Sequence, residues 1–148
     1  MRKGKVTLQT AAAALLGAYV AVLLWITVLG RDPQTAANGF AELSLQRMIS
    51  LWKDVFDRGL TGNFLGNIAL FLPVGFLVPM ASDRKKSARV LLTGLIVSLL
   101  LETLQLVTGR GVFDVADVLL NFTGTAAGLI IYRCFLLGKR RMEKEGRD

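Results

Sequence analysis

The chain has 148 residues, 53% of them hydrophobic, with a mean hydropathy of +0.50 and a formal net charge of +7. That length argues for one domain, and that apolar content exceeds what an ordinary soluble domain carries. It has no histidine and one cysteine, Cys134, which excludes imidazole acid/base chemistry, an intrachain disulfide and a thiol-based zinc site.

The first apolar run, Thr10 to Leu29, carries no charge. At about 1.5 Å per residue it is long enough to cross a hydrocarbon core of about 30 Å. It follows Arg2, Lys3 and Lys5, as a signal peptide would, but it is longer than a usual signal core, so an uncleaved span is expected. Ala14, Gly17 and Ala21 recur at helical spacing and form a small-residue face.

Gly30, Pro33, Asn38 and Gly39 then mark a loop. From Leu45 the pattern turns helical. Leu45, Met48, Ile49, Trp52, Val55 and Phe56 share one face, opposite Gln46, Arg47, Ser50, Lys53, Asp54 and Asp57. This predicts an amphipathic helix in the membrane interface, or one packed on the bundle.

The second run, Phe64 to Met80, contains Asn67, Pro73 and Pro79. Pro73 cannot donate to the carbonyl of Ala69, so a kink is expected, with room for a ligand near Asn67. Asn63 lies four residues before Asn67 and shares its face. A basic turn, Ser82 to Arg89, leads to the third run, Val90 to Val107. Ser98, Glu102 and Gln105 fall within about 60° of each other on that helix. A short loop with Arg110 follows.

The fourth run is Val115 to Leu137. Asp114, Asp117, Asn121, Gly124 and Gly128 project within about 60° of one direction. The stripe is polar first and small afterwards, and Gly124 and Gly128 form a GxxxG for helix packing. The basic tail, 138–148, is expected to fray.

The fold expectation is therefore an all-α bundle of four transmembrane helices over 10–137, with spans at about 10–29, 64–80, 90–107 and 115–137, and residues 1–9 as a cytoplasmic N-terminus. Lysine and arginine set the orientation. Arg2, Lys3 and Lys5, the turn with Arg84, Lys85, Lys86 and Arg89, and the tail with Lys139, Arg140, Arg141, Lys144 and Arg147 belong inside. Both termini are then cytoplasmic, in a bacterial cytoplasmic membrane. The basic residues flank apolar runs, so the partner they imply is a lipid bilayer and not a nucleic acid.

This topology brings Asn67, Glu102, Gln105, Arg110, Asp114, Asp117 and Asn121 to one outer-leaflet depth, where polar residues mark function by default. These seven are the candidate ligand-binding residues. Arg110 suits a carboxylate or phosphate, and the acids suit ammonium or hydroxyl groups. Glu102, Asp114 and Asp117 are the candidate acid/base groups should the protein be an enzyme. Surplus carboxylates could also hold Mg²⁺ or Ca²⁺ through oxygen, although no metal or cofactor is assigned. The rival to a ligand site is internal glue, with Arg110 paired to Glu102 or Asp114. A serine triad is not expected, because Ser98 has no histidine or lysine beside it.

Asn67-Ile-Ala-Leu-Phe-Leu-Pro73-Val-Gly75-Phe76 resembles the N-x-x-L-F-x-P-x-G-F signature of the VanZ-like family. Glu102-Thr-Leu-Gln105 resembles its E-x-x-Q. Arg110 followed by Asp114, Asp117, Asn121, Gly124 and Gly128 resembles its R…D-x-x-D-x-x-x-N-x-x-G-x-x-x-G. The match covers about 63–132. Ala116 stands where many relatives have a further acid, and Asn38-Gly-Phe40 is a reduced form of a family element. The resemblance implies a small bacterial envelope protein with four spans. The family's name-giving member is associated with resistance to teicoplanin, a lipoglycopeptide that binds cell-wall precursors. A lipid-linked or glycopeptide-related ligand at an outward-facing site is the implied function. The alternatives are a membrane enzyme acting on lipid headgroups, and a non-catalytic assembly subunit that packs on a partner, a second copy included, through Gly124 and Gly128.

Overall fold

The computed structural model describes residues 2–30, 53, 62–82, 87–111 and 113–146. The expected amphipathic helix from Leu45 to Asp57 lies outside the described residues apart from Lys53, as does the Asn38–Phe40 element. The described elements are helices: α1 (Arg2–Leu24) continuing into a π-helical turn (Trp25–Leu29), α2 (Gly62–Ala81), α3 (Ser87–Val107) and α4 (Val115–Glu145). Four helical stretches, Thr7–Leu29, Phe64–Ala81, Ser87–Val107 and Val115–Glu145, are long and apolar enough to cross a membrane. The chain is an all-α, multi-pass membrane protein.

The outward faces agree with that reading. Leu92, Ile96 and Leu100 on α3, and Ile130, Ile131 and Phe135 on α4, are exposed. In water such ridges would form a large unpartnered apolar surface, whereas lipid chains cover them without cost.

The helices run up, down, up, down. α2 and α4 are parallel: Ile68 lies against Gly124 and Leu72 against Gly128, both ascending. α3 and α4 are antiparallel, since Glu102 meets Asp114 while Ser98 meets Asn121. α1 crosses α2 at Tyr19, whose hydroxyl donates to Leu70 O at 2.7 Å.

Glycine sets the closeness of the α2–α4 pair. A methyl group at Gly124 would overlap Ile68 O, one at Gly128 would overlap Leu72 O, and one at Gly75 would overlap Thr125 O. Each helix therefore rests on the bare backbone of the other, and the Gly124–Gly128 stripe faces α2 of the same chain. Without a hydrophobic drive between helices in lipid, such close backbone packing carries much of the association. Thr125 is fully buried, with its methyl and hydroxyl against Gly94 of α3.

Two apolar clusters flank this seam. Leu23, Val28, Phe71, Val74 and Leu101 join α1 with its π turn, α2 and α3 beneath the polar helix ends. Val90, Leu129 and Tyr132 close the other end, with Phe76 edge-on to Tyr132 at 5.8 Å between centroids. α2 runs as one helix through Pro73 and Pro79.

α4 does not fray at Leu137 but stays helical to Glu145. Lys139 and Glu143, 4.0 Å apart, make an i,i+4 pair there, and Gly146 N donates to Met142 O at 3.1 Å to close the end.

Candidate functional site

At one end of the bundle the π turn after α1, the start of α2, the end of α3 and the start of α4 come together. Each contributes polar side chains that the neighbouring elements hold.

α3 ends because Gly109 adopts φ 64°, a left-handed conformation that glycine takes without strain. Gly109 N then donates to Leu106 O at 3.1 Å and Arg110 N to Gln105 O at 3.0 Å, a glycine helix stop. This stop fixes the exit of Arg110. Its guanidinium donates to Leu29 O at 3.0 Å, the last carbonyl of the π turn. One turn back, Gln105 Nε2 donates to Thr27 O at 3.1 Å. A π turn displaces the regular i→i−4 pairing, here with Gly30 N bonding Trp25 O at 2.6 Å, and turns carbonyls toward neighbours. Arg110 is therefore bound to the backbone of the π turn.

Asp114 is the N-cap of α4. Its backbone is extended, and its carboxylate accepts from Ala116 N at 2.9 Å. Its own backbone N–H donates to Glu102 Oε2 at 3.0 Å. The first turn of α4 thus hangs from a carboxylate of α3. Glu102 is buried, with 3% of its surface exposed, so the backbone donor offsets part of its lost hydration.

Asp117, one turn into α4, accepts from Asn67 Nδ2 of α2 at 2.6 Å. Deeper still, Asn121 Nδ2 donates to Ser98 Oγ at 3.0 Å, and Asn121 O accepts from Thr125 Oγ1 at 3.1 Å. Ser98 is wholly buried and serves as a hydrogen-bond partner, a position unsuited to a nucleophile. Among the described residues no buried side-chain nitrogen or oxygen lacks a hydrogen-bond partner. Also among them, no group of three His, Cys, Asp or Glu residues is placed to hold a metal ion.

The cluster is layered. Ser98, Glu102, Gln105, Asp114 and Asn121 are buried, whereas Asn67, Arg110 and Asp117 are partly exposed at its edge. The guanidinium fork of Arg110 and the Asn67–Asp117 pair are thus the groups of the cluster that reach its surface. Arg110 supplies directed donors to an anionic group, and the pair presents amide and carboxylate atoms to hydroxyls or amines. All seven candidate residues come to this end of the bundle. The side chain of Asn63 lies outside the described residues.

A separate groove of about 570 Å³ lies between α1 and α2, lined by Leu15, Tyr19, Leu72, Pro73, Phe76 and Leu77. At about 100° per residue these α2 positions face away from Asn67, so the groove does not extend the polar cluster.

Sequence reasoning missed Thr27 and Leu29, whose parts are played by backbone carbonyls that accept from Gln105 and Arg110. It also missed the capping role of Asp114, although an Asp just before an apolar helix, with a second acid three residues on, is an N-terminal signal.

The model of one family, described as VanZ/LLP1, matches residues 16–137. The chain belongs to the VanZ/LLP1 family. The match takes in α1 from its middle, all of α2 and α3, and α4 through its last apolar turn, so every polar group of the VanZ-like cluster lies within it. No curated protein and no solved structure gave a match.

Proposed function

We propose that this VanZ-like protein sits in the bacterial cytoplasmic membrane with both termini inside, and that its polar helix ends face outward. There they bind a lipid-linked or cell-wall-related ligand, and this binding contributes to resistance against teicoplanin-type glycopeptides. The observation that carries the reading is the convergence of Asn67, Glu102, Gln105, Arg110, Asp114, Asp117 and Asn121 from three helices and one loop. Polar groups are costly at membrane depth, and a cluster with a partly exposed Arg and Asp suits a ligand better than packing alone requires. Family membership and the flanking lysines and arginines support the role and the orientation.

The test is growth of a teicoplanin-sensitive host expressing the wild type, Arg110→Gln or Asp117→Asn, with membrane abundance measured by blot. Resistance from the wild type, lost in the variants at equal abundance, is the expected result. An abundant wild type that confers none would separate this chain from the name-giving member's role. A fluorescent protein fused after Asp148 should glow, because it folds in the cytoplasm; a dark but abundant fusion would reverse the orientation.

A further inference from the structure

The opposite end of the bundle holds a second feature. α4 enters it as a continuous helix, and along its flank lies a groove of about 600 Å³ lined by Cys134, Leu137, Gly138, Arg140, Arg141 and Lys144. Among the described residues, three cations and no acid line it. Lys139 does not, and it is already engaged by Glu143. Arg133 is likewise engaged, donating to Ser87 Oγ and tying α4 to the first turn of α3.

Gly138 makes the notch. A side chain built there meets nothing within 4 Å, so the space beside it is open. Leu137, 59% exposed, and Cys134 form an apolar wall on the side nearer the span. The cations follow within two turns. From Cys134 to Lys144 the helix rises about 15 Å, enough to pass from the hydrocarbon edge through the headgroup layer.

We propose that this groove binds the headgroup of an anionic phospholipid. Its phosphate lies against Arg140, Arg141 and Lys144, and its first acyl carbons lie against Cys134 and Leu137. Guanidinium groups match phosphate oxygens in a bidentate fork, and an ammonium adds a point charge. The apolar wall next to the cations selects a phosphate that carries chains over one free in water. This site is independent of the polar cluster and of the role proposed for it.

The test uses the purified full chain in a neutral detergent, titrated with phosphatidylglycerol or phosphatidylcholine, with bound lipid counted by native mass spectrometry. Phosphatidylglycerol should be retained at least about tenfold better. The variant R140Q/R141Q/K144Q should lose about fivefold per cation removed, whereas K139Q should stay within about twofold of wild type. G138L, which fills the notch and leaves the charge unchanged, should also weaken retention severalfold. These positions are solvent- or lipid-exposed, and circular dichroism checks that each variant keeps its helix content. Equal retention of the two lipids would overturn the proposal. Full retention by G138L would show diffuse surface attraction in place of a groove, and would overturn it too. Displacement of the lipid by inorganic phosphate at matched concentration would make this a small-anion site and refute the lipid assignment.

Discussion

Asn67 Nδ2 donates to Asp117 Oδ1 across 2.6 Å, joining the second turn of α2 to the first turn of α4 at the polar end of their parallel seam. An amide facing a carboxylate is a matched pair, and an acid at position 67 would face like charge. Asn67→Asp should therefore lower stability by about 1–3 kcal/mol, the cost of leaving such a group unsatisfied. The exchanged pair Asn67→Asp with Asp117→Asn should recover most of the loss, because donor and acceptor are swapped and not removed. Thermal unfolding in detergent reads both. A single variant as stable as wild type would show that the pair does not hold the helices.

The seam itself is most sensitive at its glycines. Gly128→Ala places a methyl on Leu72 O and close to Gly75, and Gly75→Ala places one on Thr125 O. Backbone cannot give way as a flexible side chain does, so each should cost about 1–3 kcal/mol or displace the helices. Gly17→Ala is the control, since nothing lies within 4 Å of its added carbon. Folded yield and melting temperature should fall for the first two and hold for the third. The exposed face of Ala14, Gly17 and Ala21 contrasts with the buried stripe of α4, although both show small residues at helical spacing.

That contrast shows where sequence reading succeeds. The four spans were legible because charge is confined to their ends, and the cluster because each member is a polar residue in an apolar setting. Gly124 and Gly128 were legible as a packing motif, but not which helix they meet, because helical spacing describes one surface and names no partner. The π turn at Trp25–Leu29 reads in sequence as ordinary apolar helix. The acceptors for Gln105 and Arg110 are backbone carbonyls, which every residue has, so no side chain announces them. The helix beyond Leu137 was misread as fraying because its charge suggested a tail, while its i,i+4 pair supports a helix.

The π turn supplies a third prediction. Gln105→Leu removes the donor to Thr27 O in a buried setting, where Thr27 Oγ1 is already committed to Leu23 O at 2.7 Å. The loss should be about 1–2 kcal/mol. Gln105→Glu should cost more, because a carboxylate would face the carbonyl it replaced a donor for. Hydrogen exchange of amides 25–30 checks the mechanism: faster exchange there, with α2 and α4 unchanged, is the expected pattern. Uniform acceleration across the bundle would mean that Gln105 acts on global stability instead.

Asp114 carries two roles that substitution can separate. As N-cap it accepts from Ala116 N, and as an acid it contributes charge to the cluster. Asp114→Ala removes both and should cost about 1 kcal/mol of stability. Asp114→Ser keeps a capping oxygen while removing the charge, so its melting temperature should stay near wild type. If teicoplanin resistance survives in the serine variant, the residue acts by starting α4 and by offering its backbone N–H to Glu102. If resistance is lost while stability and abundance hold, the charge itself meets the ligand. A serine variant as unstable as the alanine one would show that the carboxylate itself, and not a capping oxygen in general, holds this turn, because both variants keep the backbone N–H that donates to Glu102.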